Sequence, residues 1–435
     1  MRPADLRRLP IILMTASSPR ASHLPAGMRA LAHRNFRLYF VGQAVSILGS
    51  WIQQVTLSWL VYRLTGSAAL LGITAFCGLI PQLVVGPLAG AWIDKHDKKK
   101  WLVGVQSLMA VQAFVLAGLC WMDWIGTSFI VLMALLLGVL SSFDAPLRQS
   151  LIGSFVGSRD DLPNALALNA MLFNAGRFIG PPIAGLLLGL TSEAFCFAIN
   201  AFSFLALITA ILLVSGQQPM RAKGSVGQVF KEGVLYAWQT WTVRMLIITL
   251  IALNLTASAY AVLLPIFARD VFAGDATTLG WLWGAAGCGA FVSTIFLATR
   301  KSAPAVISAV VAGVAISAAG LLVFATTTWL PLALCGMVGL GFGISVCNVG
   351  INMVLQSTAP EQLRGRVVSF FTSARFGFDA LGGLLAGFVA AGLGAGRTLL
   401  LEGGILLFFV VFLFTRRRRL LTQIAVAHQG AKDGH

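Results

Sequence analysis

Charge is what this chain of 435 residues has least of: 11% of it is Asp, Glu, Lys or Arg, against about 25% in a soluble globular protein. Water is therefore not its main solvent. Acidic residues number only 15, and the five histidines (His23, His33, His96, His428, His435) all fall in polar segments, so none is available as a proton carrier inside a membrane. The six cysteines (Cys77, Cys120, Cys196, Cys288, Cys335, Cys347) form no CxxC pair and lie in or at the ends of apolar runs, which favours small core residues over metal or redox chemistry. No G-x4-G-K-[ST] phosphate loop, HExxH or GxSxG elbow occurs. These absences argue against ATP, a metal, a cofactor or an enzymatic constellation.

What is there is apolar: 57% hydrophobic residues and a mean hydropathy of +0.85. The formal charge of +16 raises nucleic-acid binding, but so few charged residues leave little water-exposed face to carry it. A polytopic helical membrane protein remains. A bilayer core takes about 20 apolar residues per helix. The runs predict twelve spans, at 36–62, 68–93, 101–122, 126–147, 162–190, 193–214, 244–268, 277–299, 304–325, 329–356, 361–391 and 397–415. The expected fold is all-α, with twelve transmembrane helices in two pseudo-symmetric six-helix bundles. Its parts are a basic N-terminal segment (1–35), a first bundle (36–214), a cytoplasmic linker (215–243), a second bundle (244–415) and a tail (416–435). The first 35 residues hold no apolar run followed by a cleavage site, so no signal peptide is expected.

Basic residues orient the chain. With the N-terminus inside, 26 of the 31 Lys and Arg lie in inner segments, three (Arg63, Arg269, Arg397) in outer loops, and two (Arg177, Arg375) within spans. This asymmetry predicts cytoplasmic termini in a bacterial inner membrane. Tryptophans fit an interfacial belt: Trp92, Trp101, Trp238 and Trp241 at inner ends, and Trp121, Trp124, Trp281, Trp283 and Trp329 at outer ends.

The halves repeat. Leu64-Thr-Gly66-Ser-Ala-Ala-Leu-Leu-Gly72 is matched 208 residues later by Phe272-Ala-Gly274-Asp-Ala-Thr-Thr-Leu-Gly280. Asp161-Leu162 opens span 5 as Gln362-Leu363 opens span 11. Ser141, Asp144 and Arg148 in span 4 are matched by Ser345, Asn348 and Asn352 in span 10, both sets on one helix face at i, i+3, i+7. Parallel six-helix repeats describe a transporter rocking about a midplane site.

Three stretches resemble the major facilitator superfamily. Gly90-Ala-Trp-Ile-Asp94-Lys95-His-Asp97-Lys98-Lys99, after span 2, is similar to that family's G-x3-D-[RK]-x-G-[RK]-[RK] loop, with Asp97 where the family has Gly. The resemblance implies a cytoplasmic gate built on Gly90, Asp94, Lys95, Lys98 and Lys99; the alternative is an ordinary positive-inside loop. In span 5, Gly176-Arg-Phe-Ile-Gly180-Pro181-Pro-Ile-Ala-Gly185 resembles the G-x3-G-P-x2-G-G motif of antiporter members, with Ala184 replacing one Gly. Its alternative is generic small-residue packing. Pro146-Leu-Arg148-Gln149, Leu162-Pro-Asn164-Ala165 and Leu363-Arg-Gly-Arg366-Val367 are similar to the drug- and siderophore-efflux branch, which includes macrolide efflux proteins and transmembrane secretion effectors. That implies export of a small-molecule substrate driven by a proton gradient in a lipid environment; the missing phosphate loop and the placement of the basic residues leave out ATP and nucleic acid as partners, and function as a monomer is expected.

Charges inside spans are the sharpest single-residue signals, since each costs at least about 2.5–3.5 kcal/mol at mid-helix. Arg177 lies in span 5, Arg375 and Asp379 at i and i+4 in span 11, Asp144 and Arg148 near the inner end of span 4, and Glu402 towards the outer end of span 12. Proton coupling needs a carboxylate sensitive to burial and to a nearby cation. Asp379 is the first candidate by depth and Asp144 the second, a helix-locking ion pair being the alternative for each. The family lines its cavity with spans 1, 4, 7 and 10. Polar candidates there are Gln43, Ser46, Ser50 and Gln54 beside Trp51, then Asn254 and Ser258, then Ser345, Asn348, Asn352 and Gln356, with interhelical hydrogen bonding as the competing role. Uncharged amides and hydroxyls beside aromatics suit a neutral or amphiphilic organic molecule. The functional expectation is a secondary exporter with rocker-switch alternating access. A lipid or lysophospholipid flippase or facilitated importer on the same scaffold is the first alternative, and a transport-inactive sensor or partner-binding membrane protein the second.

Overall fold

The computed structural model describes residues 26–433 except 94, 157, 215–234, 236, 237 and 301, and among them there are helices and no strand. Among the described residues, eleven helices are long and apolar enough to cross a membrane. The remaining span is broken: span 2 runs as Ala68–Val84 and then Gly86–Ile93, with Pro81 withholding a backbone donor just before the break. The others are span 1 (Arg34–Thr65), span 3 (Lys98–Trp121), span 4 (Thr127–Phe155), span 5 (Leu162–Leu190) and span 6 (Glu193–Leu213). In the second half, span 7 joins Trp241–Thr256 to Tyr260–Ile266 through a 3-10 turn at Ala257–Ala259. Spans 8 to 12 are Ala276–Ala298, Ala303–Thr326, Leu330–Thr358, Glu361–Leu393 and Ala395–Asp433.

Local chemistry sets the starts of these helices. Side-chain oxygens of Ser67, Asp97, Ser192, Asp275 and Ser302 each accept from a backbone N–H of the first turn they precede. Asp97, the departure from the family's loop pattern, is thus the N-cap of span 3, with Lys100 N donating to its Oδ1 at 3.0 Å. At the inner end of span 5, Asn164 holds the short turn Ala26–Ala32: its Oδ1 accepts from Ala30 N at 2.9 Å and its Nδ2 donates to Gly27 O at 2.8 Å.

Packing repeats between the halves. Span 6 packs on spans 1 and 3, and span 12 on spans 7 and 9; span 4 packs on spans 2 and 3, and span 10 on spans 8 and 9. Two extensive contacts join the halves, span 2 with span 11 and span 5 with span 8. Both depend on glycine pairs at repeat-related positions. A Cβ on Gly280 would sit 2.9 Å from Gly185 Cα, and one on Gly387 would sit 2.8 Å from Gly72 Cα. Gly72 and Gly280 are the ends of the repeated segments noted above. Without side chains, backbones from opposite halves meet directly.

These pairs lie within a few turns of the loops at the end opposite the linker, the outer end in the orientation expected from the basic residues. There the repeat also brings equivalent residues face to face. Tyr62 and Asp270 are separated by the repeat length of 208 residues, and the Tyr62 hydroxyl donates to Asp270 Oδ2. Arg269 lies 5.8 Å from the Tyr62 ring centroid, and Arg63 pairs with Glu193 at 2.7 Å. A cleft of about 440 Å³ opens beside Tyr62 and Asp270, walled by Ser67, Ile266, Ala391 and Gly394. Spans 4 and 10, by contrast, pack on members of their own halves.

Candidate transport site between the two halves

Four charged or phenolic groups near mid-depth converge. Arg177 is central in the 29 residues of span 5, and Arg375 and Asp379 are central in the 33 of span 11. Arg177 and Arg375 are within electrostatic reach of one another and of Asp379, and the buried Tyr260 hydroxyl faces Arg177 in hydrogen-bonding range. The pair expected from the i, i+4 spacing is not closed, since the ion pairs within 4.0 Å among the described residues do not include Arg375–Asp379. One carboxylate thus stands among two guanidiniums contributed by different halves. Tyr260 is the first residue after the 3-10 turn of span 7, and Gly382 of span 11 abuts the carbonyls of Asn254 and Leu255 just before it. A broken helix at membrane depth is tolerated where it lines a cavity or is covered by protein.

Aromatic rings frame the cluster. Trp51 and Trp283 meet edge to face with centroids 5.8 Å apart, and Tyr260 lies 6.1 Å from Trp283. Trp283 therefore does not belong to the interfacial belt: it is 7% exposed, whereas Trp281 is 48% exposed. The signal was available, because residues two apart on a helix point to nearly opposite sides, so the two indoles could not share the lipid face. The span 5 motif explains how the rings fit. A Cβ on Gly180 would sit 2.7 Å from Trp51 Cβ, one on Gly176 2.2 Å from Ile47 Cγ2, and the Pro181 carbonyl lies against Gly280. These residues let span 5 approach spans 1 and 8 at once.

The polar candidates divide. Gln43 and Ser46 are fully buried, and both amide atoms of Gln43 and the Ser46 hydroxyl are unpartnered. Ser50 donates to Ser46 O at 2.8 Å, and Gln54 is exposed. Its neighbour Gln53, which sequence reasoning passed over, is buried in a network: Gln53 donates to Gln112 at 3.1 Å and Asn200 donates to Gln53 at 2.7 Å, tying spans 1, 3 and 6. In span 7, Asn254 Nδ2 donates to Leu250 O at 2.8 Å and to Asn348 Oδ1 at 3.4 Å, while Ser258 donates to Asn254 at 3.3 Å. Ser345 donates to Ala290 O at 3.4 Å. Asn254, Ser258, Ser345 and Asn348 thus spend their polar groups within the second half. Asn352 accepts from the exposed Gln356 at 3.1 Å, towards the linker end.

Asp144 and Arg148 form a closed pair away from the central cluster. Gln106 of span 3 donates to Asp144, and the buried Tyr39 lies in the field of Arg148. Glu402 stands apart, buried near the outer end of span 12 with Oε2 unpartnered. In the gate motif, Gly90 falls in the second segment of span 2, and Asp94 lies outside the described residues. Lys95 is exposed, Lys98 opens span 3, and Lys99 Nζ donates to Val214 O at 2.6 Å, satisfying a carbonyl at the end of span 6 in its own half.

Two six-helix halves meeting at a half-buried charged and aromatic cluster define a membrane transporter of the major facilitator type. Residues 26–430 match the model of the transmembrane secretion effector family, and the chain belongs to that family. Relatives include the staphyloferrin A transporter of Staphylococcus aureus, 28% identical over 60% of this chain and 66% of that protein. The multidrug efflux pump Tap of Mycolicibacterium fortuitum is 29% identical over 86% of this chain and 93% of its own. Among solved structures, a point mutant of the nucleoside transporter NupG superposes with a TM-score of 0.70 at 13% identity, covering 88% of this chain and 99% of that one. An inward-facing, occupied bacterial homologue of the lysosomal transporter Spinster also gives 0.70, at 11% identity over 90% and 98%. The protein is a multi-pass membrane transporter, and not an enzyme.

Proposed function

We propose that the protein exports an amphiphilic small molecule, drug-like or siderophore-like, across a bacterial inner membrane in exchange for protons, acting as a monomer with both termini in the cytoplasm. The observation that carries this reading is the cluster of Arg177, Arg375 and Asp379 at mid-depth where the halves meet. A carboxylate there exchanges its proton according to which side of the membrane reaches it and whether a guanidinium is near. The efflux activity named for several relatives supports the direction. Glycine-paired closure at the outer end, with spans 4 and 10 kept to their own halves, supports a state open to the linker side. Transport then consists of rocking the halves so that the outer contacts part while the inner ends meet.

Asp379 is the coupling residue in this account. Asp144, engaged by Arg148 and Gln106, is a structural lock within the first half. The test is uptake of a panel of fluorescent amphiphiles into everted membrane vesicles containing the protein. Respiration-driven accumulation that a protonophore abolishes is expected for at least one dye; no accumulation above vesicles lacking the protein would contradict export.

A further inference from the structure

The cluster is unbalanced in charge and in hydrogen bonding. The groups that act electrostatically on Asp379 are Arg375 and Arg177, and those that act on Arg375 are Arg177 and Asp379; no second acid joins them among the described residues. Two guanidiniums therefore share one carboxylate, and none of the three is closed into an ion pair within 4.0 Å. The surroundings supply donors. The Trp283 indole, 7% exposed, has its Nε1 without a partner, and the Tyr260 hydroxyl, which accepts from Arg177, has its own O–H to donate. Indole nitrogen is a donor only, and arginine carries five N–H donors and no acceptor. The rings of Trp51, Trp283 and Tyr260 add a flat apolar wall beside these donors. A site with surplus positive charge, surplus donors and an aromatic wall is complementary to an aromatic or alkyl body that bears a carboxylate, and arginine binds carboxylate in a two-point fork.

We propose that the exported molecule is an organic carboxylate, its anionic group bridging Arg177 of the first half and Arg375 of the second while its apolar body lies against Trp51 and Trp283. This rests on reading the protein as an exporter, and it narrows the substrate from a neutral or amphiphilic molecule to an amphiphilic anion. It also makes the cargo and Asp379 competitors. Both are acceptors for the same two guanidiniums, so the carboxylate substrate binds best when Asp379 has taken a proton and released them. Binding of cargo and loss of the proton then exclude one another, as an antiporter requires. Arg177 and Arg375 belong to different halves, so the bound anion reports on both.

The test compares 1-pyrenebutyrate, 1-pyrenebutanol and pyrenebutyl-trimethylammonium, which share ring and chain and differ only in the end group. Binding to purified full-length protein in nanodiscs is read from energy transfer from tryptophan to pyrene, corrected with empty nanodiscs. We expect saturable binding of the butyrate at least tenfold tighter than of either other probe. Arg177→Gln and Arg375→Gln should each bring that ratio to within threefold of one, Arg375→Lys should retain part of it, and Asp379→Asn should tighten the butyrate alone. Thermal unfolding of each variant identifies misfolding, and the comparison of probes on the unaltered protein stands without any variant. Equal binding of all three, preference for the ammonium, or a ratio unchanged in both Arg→Gln variants would overturn the anion site. Vesicle flux separates the two readings. Selective butyrate binding without its transport would leave the site and remove the exporter; dye export with no preference for the butyrate would do the reverse.

Discussion

At the scale of single residues, a buried ion is defined by what it is paired with. Asp144 is held by Arg148 and Gln106 inside the first half, whereas Asp379 faces two guanidiniums without a closed bridge. Removing one partner of a buried pair costs about 3–5 kcal/mol because the other charge is stranded, while replacing both by apolar groups is often neutral. Arg148→Ala should therefore lower the thermal unfolding midpoint sharply in detergent, and Asp144→Leu with Arg148→Met should recover most of the loss. If the double variant proves no better than the single one, the pair does more than lock spans 3 and 4. Some of this was legible in the chain. Charges in apolar runs stand out by their cost, so Arg177, Arg375, Asp379 and Glu402 could be named. Tyr260 was missed, although a phenol in mid-span needs a partner for its hydroxyl. Gln53 and Gln54 could not be told apart, because span 1 is buried on more than one side and its amides point around most of the helix.

Among the helices, the repeat determines where the halves can part. Gly72 with Gly387 and Gly185 with Gly280 bring backbones together at the outer end, and a methyl on Gly280 would also sit 2.7 Å from Pro181 O. Overpacking of this kind costs about 1–3 kcal/mol in a tight core. Gly280→Val should push the closed outer face apart, read as a longer electron–electron resonance distance between spin labels at Asp123 and Thr328, which are exposed in opposite halves. The Tyr62–Asp270 contact makes the same prediction by different chemistry. A hydrogen bond to a charged group contributes about 1.5–3 kcal/mol, so Tyr62→Phe should shift the closed-to-open ratio by about ten- to a hundredfold towards outer opening. Distances unchanged in both variants would show that this face does not open. Asp97→Ala removes the cap of span 3 and should cost about 1 kcal/mol, visible in thermal unfolding. Spans and repeat were legible from hydropathy and from the shared Gly66/Gly274 segments. The pairing of Tyr62 with Asp270 was not, since a repeat says which positions are equivalent and not which ones touch.

For the whole molecule, the excess of basic residues that would suggest a polyanion partner in a soluble protein fits the orientation expected in a bilayer, and the proposed function rests on the few charges inside it. The account joins three features: outer closure by glycine pairs, a cluster shared by both halves, and a carboxylate that alternates between proton and guanidinium. The coupling role of Asp379 is what holds them together. Counter-transport in proteoliposomes, with an imposed pH gradient and 1-pyrenebutyrate or an exported dye from the vesicle panel, tests it most directly. The unaltered protein should move the probe faster with the gradient than without, and Asp379→Asn should bind the probe yet move it at one rate in both conditions. Flux in the unaltered protein that ignores the gradient, or full gradient dependence retained in Asp379→Asn, would contradict the account.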